Sequence, residues 1–255
     1  MEVRENDHAP LAGKVALVTG GARRVGAQIV RKLHGAGAAV LVHRHRSRTD
    51  ADALIAELDA RRPGSAHAFA LDLLDTARLP TLIEAAEQRF GRLDILVNNA
   101  STFYPTPLGA ITEAHWDDLV GSNLKAPLFL SQAAAPLLRR TQGLILNIVD
   151  IHGMRPLRQH PVYGVAKAGL IMLTRSLARE LGPEVRVNAI APGPVMWPED
   201  GSADPARREK IVSRTLLKRS GSADDIARAA LFFAADAPFV TGQVLPVDGG
   251  RSVAW

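Results

Sequence analysis

The sequence predicts a single-domain α/β fold, in which about seven strands form a parallel sheet with helices on both faces. Two observations carry this. Short, β-branched, nearly continuous apolar runs alternate with helix-length amphipathic stretches along the 255 residues, as buried parallel strands and their covering helices do. A glycine-bearing turn follows the first apolar run and leads directly into a helical pattern, which distinguishes a doubly wound sheet from an eight-unit barrel of similar length.

In chain order, residues 1–12 read as a flexible arm preceding a reductase-sized domain over 13–255. Apolar runs at 15–19, 39–43, 66–70, 95–97, 144–149, 185–190 and 244–247 read as strands. Amphipathic stretches at 24–35, 50–61, 76–90, 112–120, 123–140, 161–181 and 223–235 read as helices. Ala166, Leu170, Leu173, Leu177 and Leu181 recur at helical spacing, and Gly182-Pro183 ends that helix. Residues 194–210, with Met196, Trp197 and several turn formers, read as a mobile substrate loop.

Composition removes several function classes. With no cysteine there is no disulfide framework, thiolate metal site or cysteine nucleophile, and no metal site is expected. No apolar run approaches the ~18 residues of a membrane span. The charged start MEVRENDHAP does not read as a secretory signal, so the expected setting is cytoplasmic. Basic residues exceed acidic ones by five, but the arginines are scattered except in the stretch His43-Arg44-His45-Arg46-Ser47-Arg48. That distribution suits a local phosphate pocket and not a nucleic-acid footprint.

The chemistry begins at Gly20-Gly21-Ala22-Arg23-Arg24-Val25-Gly26, directly after the first strand. Such a turn lets backbone N–H groups approach a pyrophosphate at a helix N-terminus. At the end of the second strand, a dinucleotide fold that binds NAD places a carboxylate for the ribose 2′-hydroxyl, whereas cations accommodate a 2′-phosphate. Here the basic stretch occupies that place, with no carboxylate until Asp50, and Arg24 adds to the same field. Asp72 suits either an adenine amino group or a helix-entry cap. Asn98-Asn99-Ala100-Ser101 ends the fourth strand and suits either a cofactor wall or plain turn chemistry.

Tyr163 and Lys167 lie four apart on one helix face. An ammonium beside a phenol is expected to favour the phenolate and to lower its pKa for proton transfer. With two tyrosines and six lysines in the chain, such a pair arises by chance about 5% of the time, so it is specific without being decisive. Asp150 ends the fifth strand, and Asn123 opens a helix shortly before Pro127; both also suit caps and turns.

Taken in order, Thr19-Gly20 to Gly26, Asn98-Asn99-Ala100, Asn123, Tyr163-x-x-x-Lys167, Pro192-Gly193 and Val247-Asp248-Gly249-Gly250 resemble the short-chain dehydrogenase/reductase family over residues 13–250. The resemblance implies a Rossmann-like sheet and a homotetramer, with helices 123–140 and 161–181 at one interface. Leu128, Leu137, Leu170, Leu173 and Leu177 are expected to supply apolar surface there. Two departures stand out: Arg24 replaces the middle glycine of the family turn, and Asp150 replaces the catalytic serine. Both resemble the pteridine reductase branch, as does the segment Asn98 to Leu108.

That resemblance implies NADPH as cofactor and a pterin or folate as substrate. Gly20, Arg24 and Val25 would contact the cofactor from the glycine turn, and His45, Arg46 and Ser47 from the basic turn. Asp72 and Leu73, Asn99, Ala100 and Ser101, Tyr163 and Lys167, and Pro192 and Gly193 would complete its contacts. Asp150, Tyr163, Lys167 and Asn123 would be catalytic. Arg24, Ser101, Phe103, Asp150 and Tyr163 would hold the pterin, stacked on Phe103. The competing readings are a carbonyl reductase of 3-oxoacyl or other ketones, an NADP-sensing protein without turnover, and a nucleic-acid module. Asp150 and Arg24 argue against the first, the intact Tyr163, Lys167 and Asn123 against the second, and the charge distribution against the third.

Overall fold

The computed structural model describes residues 9–196 and 204–254. Seven strands form one parallel sheet: β1 (Val15–Val18), β2 (Ala39–Arg44), β3 (Ala66–Ala70), β4 (Ile95–Asn98), β5 (Leu144–Ile148), β6 (Arg186–Pro192) and β7 (Val244–Val247). Their order is β3-β2-β1-β4-β5-β6-β7. The order reverses between β1 and β4, which pair Ala16 with Ile95 and Val18 with Val97. In such sheets the crevice beyond the strand C-termini at that reversal is where ligands bind.

The helices are α1 (Arg24–Gly35), α2 (Arg48–Arg61), α3 (Leu79–Phe90), α4 (Glu113–Val120), α5 (Ala126–Thr141), α6 (Pro161–Leu181), α7 (Pro205–Ser213) and α8 (Ala223–Ala235). One core layer joins Ile29, Val30 and Leu33 of α1 and Ile226 and Phe233 of α8 to Val18, Val40, Val97 and Leu146 of the sheet. The opposite layer joins Leu82 of α3 and Leu130 and Leu138 of α5 to Leu17, Leu41, Leu96 and Ile145. Alternate residues of one strand thus feed opposite layers, and strands buried on both faces are apolar throughout. The edge strands β3 and β7 are only partly buried, so the two-faced apolar reading does not extend to them.

Four expectations need correction. Residues 9–12 of the expected arm are packed: Leu11 lies in the core, and its N–H donates to the Ala36 carbonyl at 2.8 Å. Residues 1–8 lie outside the described set. The expected substrate loop 194–210 contains the start of α7, whose first turn is capped by the Asp204 carboxylate through Ala206 N–H at 3.0 Å; residues 197–203 lie outside the described set. Asn123 does not open an α-helix. It sits in a single π-helical turn, Gly121–Lys125, that joins α4 to α5. Lastly, Leu170 and Leu137 are buried and Leu173 and Leu177 pack against core clusters, so of the five leucines expected at an interface only Leu128 is exposed.

Candidate active site

The glycine turn is fixed from below by strand ends. Gly20 has φ +59°, and a Cβ there would lie 3.0 Å from Ala100 Cα. A Cβ on Gly26 would overlap the Gly20 carbonyl oxygen. Glycine is therefore required at both places, by handedness at the first and by close approach at the second. Thr19 Oγ accepts from the N–H groups of Asn99 (2.9 Å) and Ala100 (3.0 Å). Asn99 Nδ2 donates back to the Thr19 carbonyl at 2.8 Å, so Asn99 and Ala100 lock the turn to β4. Arg24 opens α1 with φ +53°, a left-handed conformation that costs a non-glycine residue roughly 1–2 kcal/mol.

The basic turn separates into two parts. His45 and Arg46 are exposed and Ser47 is half-buried where α2 begins. His43 is buried in the sheet, so it belongs beneath the expected phosphate pocket and not in it. His45 Nε2 lies 3.8 Å from Asp72 Oδ2, which brings the β2 and β3 ends together. Asp72 Oδ1 accepts from Leu74 N–H at 3.0 Å, which closes a turn ahead of the 3₁₀ turn Thr76–Arg78 and caps no helix, while Leu73 is in the core. Pro192 and Gly193 end β6 across the crevice, where a Cβ on Gly193 would overlap Asp248.

On the other side of the switch point, side chains make the site. Tyr163 Oη donates to Asp150 Oδ2 at 2.7 Å. The second oxygen of Asp150 accepts from His152 N–H at 2.8 Å, which fixes the carboxylate plane. Lys167 is fully buried and donates to the Ile148 carbonyl at 2.9 Å. Its ammonium is 5.7 Å from the centre of the Tyr163 ring.

The expected lowering of the Tyr163 pKa is not what this geometry produces. Burial first, then the Asp150 charge and hydrogen bond, hold the phenol well above its ordinary value, while the Ser101 hydroxyl works in the opposite direction. Lys167 is pulled down to about 8 by burial, opposed by Asp150. Tyr163 is thus a protonated donor in this state, and its first partner is the carboxylate.

Ser101 Oγ donates to Asn123 Oδ1 at 2.7 Å. Asn123 Nδ2 donates to the carbonyls of Thr102 and Leu119, each at 2.9 Å. The π-helical turn, a feature often found at functional sites, thereby ties the loop carrying Ser101 and Phe103 to α4. Phe103 is 56% exposed. Its edge-on contact with Tyr163 has centroids 4.8 Å apart at 77°. One face stacks on His160 at 4.7 Å and 12°. Nothing in the sequence pattern marks His160, which lies in the loop before α6; three-dimensional proximity alone reveals it.

A cradle of glycine backbone beside cations, facing a Tyr–Lys pair with its carboxylate across the sheet's switch point, defines a dinucleotide-dependent oxidoreductase site. The chain belongs to the short-chain dehydrogenase/reductase family. A family model described as enoyl-(acyl carrier protein) reductase matches residues 20–252. Pteridine reductase 1 of Leishmania tarentolae is 37% identical, covering 94% of this chain and 96% of that protein. The 3-oxoacyl-[acyl-carrier-protein] reductase FabG of Thermotoga maritima is 33% identical, covering 94% and 98%. Among solved structures, a blue fluorescent protein from a metagenomic library in complex with NADPH superposes with a TM-score of 0.89 at 36% identity, covering 95% of this chain and 99% of that one. Among the described residues, no helix is long and apolar enough to cross a membrane, and no cluster of metal-ligating side chains occurs.

Proposed function

We propose that this protein uses NADPH to reduce dihydropterins to tetrahydropterins, with dihydrofolate as a further candidate substrate. The observation that carries this reading is the 2.7 Å hydrogen bond from Tyr163 to Asp150, set at the edge of a half-exposed phenylalanine ring. A flat heteroaromatic would pack against the exposed part of the Phe103 ring, which would bring a ring nitrogen toward the Tyr163 hydroxyl.

The residues present fit the cofactor. Gly20 and Gly26 pack the turn too closely for side chains, Arg24 and Arg46 would supply charge, and no carboxylate ends β2. Asn99 and Ala100 wall the middle, and Lys167 lies below Tyr163 to hold ribose hydroxyls. When bound, NADPH supplies the hydride for the ring C=N carbon.

The protein's own share is the proton. Tyr163 gives its hydroxyl proton to the ring nitrogen as the C=N bond is reduced, Asp150 orients that hydroxyl by accepting its hydrogen bond, and a proton from solvent restores the phenol. A serine in place of Asp150 would polarise a ketone oxygen but would put no negative charge beside the Tyr163 hydroxyl. Ser101 and Arg24 flank the substrate edge, and Asn123 acts by holding the Ser101–Thr102 loop.

We also propose a homotetramer. Its apolar contacts would come from Trp116 on α4, Leu128 and Phe129 on α5, and Val165 and Met172 on α6, all exposed in the single chain. The cysteine-free chain suits a reducing cytoplasm.

The test is steady-state NADPH oxidation with dihydrobiopterin, dihydromonapterin, dihydrofolate and a 3-oxoacyl thioester. Turnover of at least one dihydropterin is expected. Turnover of the thioester alone would favour the carbonyl-reductase reading, which the similar identity of the FabG relative keeps in view.

A further inference from the structure

His43 opens the basic stretch, yet it is 2% exposed near the end of β2. Each of its polar groups is committed. The Gly20 N–H donates to its Nδ1 at 3.1 Å, and the Gly21 N–H donates to its backbone carbonyl at 3.0 Å. Its Nε2 lies 3.0 Å from the Leu71 carbonyl. A carbonyl only accepts, so Nε2 carries the proton and Nδ1 is left as the acceptor for Gly20. One imidazole therefore spans the first turn of the crevice, the β2 end and the residue just before Asp72.

We infer that His43 is a positioning residue of the dinucleotide site, a neutral bridge that sets the glycine turn relative to the adenosine end of the crevice. This rests on the reading of the Gly20–Gly26 turn as the cofactor cradle, and it adds a residue that does not itself touch the cofactor.

The physical reason is orientation. A pyrophosphate is held at a helix N-terminus by backbone N–H groups whose directions must be fixed beforehand. Consecutive N–H groups at Gly20 and Gly21 are both anchored downward to His43, so the rest of the turn is left to face the crevice. The charged form of the ring would have a proton on Nδ1 pointing at the Gly20 N–H, and the bridge would break. The groups facing the ring agree with a neutral state: burial lowers its pKa to about 4 against the Leu71 carbonyl and Asp72, which favour a charge, and His45 and Arg44 add to the lowering.

The test measures NADP+ and NAD+ binding calorimetrically to folded protein, checked by circular dichroism and thermal melting. His43→Leu leaves the Gly20 N–H and the Leu71 carbonyl without partners, and we expect both dinucleotides to bind about tenfold more weakly, by a similar factor. His43→Asn keeps an acceptor near the Nδ1 position and recovers much of that loss. A purely structural histidine predicts a lower melting temperature with unchanged dissociation constants. A folded His43→Leu protein that binds both dinucleotides within twofold of wild type overturns the inference.

Should His43→Leu not fold, the ¹⁵N imidazole spectrum of the wild-type protein at pH 7 decides. A proton on Nε2, with an Nδ1 resonance that shifts when NADP+ is added, upholds the inference. A proton on Nδ1, or no shift, overturns it. Wild-type protein that binds neither dinucleotide would instead remove the cofactor reading itself, and this inference with it.

Discussion

The two sides of the crevice are built on different principles. Beneath β1, β2 and β3, the site is backbone: the glycine turn, the strand ends and buried hydrogen bonds through Thr19, Asn99 and His43. Beneath β4, β5 and β6, it is side chains held by other side chains: Tyr163 on Asp150, Ser101 on Asn123, and Phe103 on His160. In the proposed function the first side would read a feature common to all dinucleotides and adjust it with surface cations. The second would decide the chemistry, and single substitutions there should change what is reduced without disturbing what is bound.

That contrast orders the expected effects. Tyr163→Phe removes only the hydroxyl and keeps the ring against Phe103, so turnover should fall roughly 10³-fold. Calorimetry should find NADP+ affinity little altered, and comparable losses in both would erase the distinction between the two sides. Asp150→Ala should cost pterin reduction about 10²-fold. It should also lower the Tyr163 pKa, because the carboxylate's charge and hydrogen bond help hold it up. Ultraviolet titration of the phenolate checks this, and a phenol that titrates no earlier than in wild type would show that Asp150 does not govern it.

Arg46→Ala tests the other side. A charge-assisted phosphate contact contributes about 1.5–3 kcal/mol, so NADPH binding should weaken at least tenfold while NADH is nearly unaffected. Equal losses would move the 2′-phosphate site away from the basic turn.

The smallest effect is on stability. His43 has a folded pKa of about 4, below its ordinary 6.5. The unfolded chain therefore takes up a proton first as pH falls. The stabilisation is complete above pH 6.5, declines below it and is gone below the folded value. Between pH 6.5 and 5.5 the loss is about 1 kcal/mol. Urea midpoints should show this slope in wild type and a shallower one in His43→Asn; parallel slopes would contradict the assignment.

Much of the first side was legible in the sequence because its signals are local. Each strand is a short apolar run, and the glycine turn and basic stretch are contiguous. His43 belongs both to the strand run 39–43 and to the basic stretch 43–48, so its charge pattern and its periodicity point different ways. It shares alternation with Leu41, which is buried, and that spacing points His43 inward. The residue identities of the second side were also legible, at Asp150, Tyr163, Lys167 and Asn123, but their relations were not. The Tyr163 shift depends first on burial and then on a 2.7 Å approach to Asp150 across thirteen residues, and the Phe103–His160 stack on two loops meeting. The helix α7 escaped notice because its polar sequence, PARREKIVS, has no apolar stripe to mark it.

The central claim is that an aspartate partnered with Tyr163 directs this site to a ring C=N bond and not to a ketone. The most direct test offers dihydrobiopterin and an acetoacetyl thioester together, with limiting NADPH, and measures both products by chromatography. At equal concentrations the product ratio equals the ratio of the two kcat/KM values. The account predicts tetrahydrobiopterin in large excess; a predominance of the hydroxyacyl thioester would contradict it.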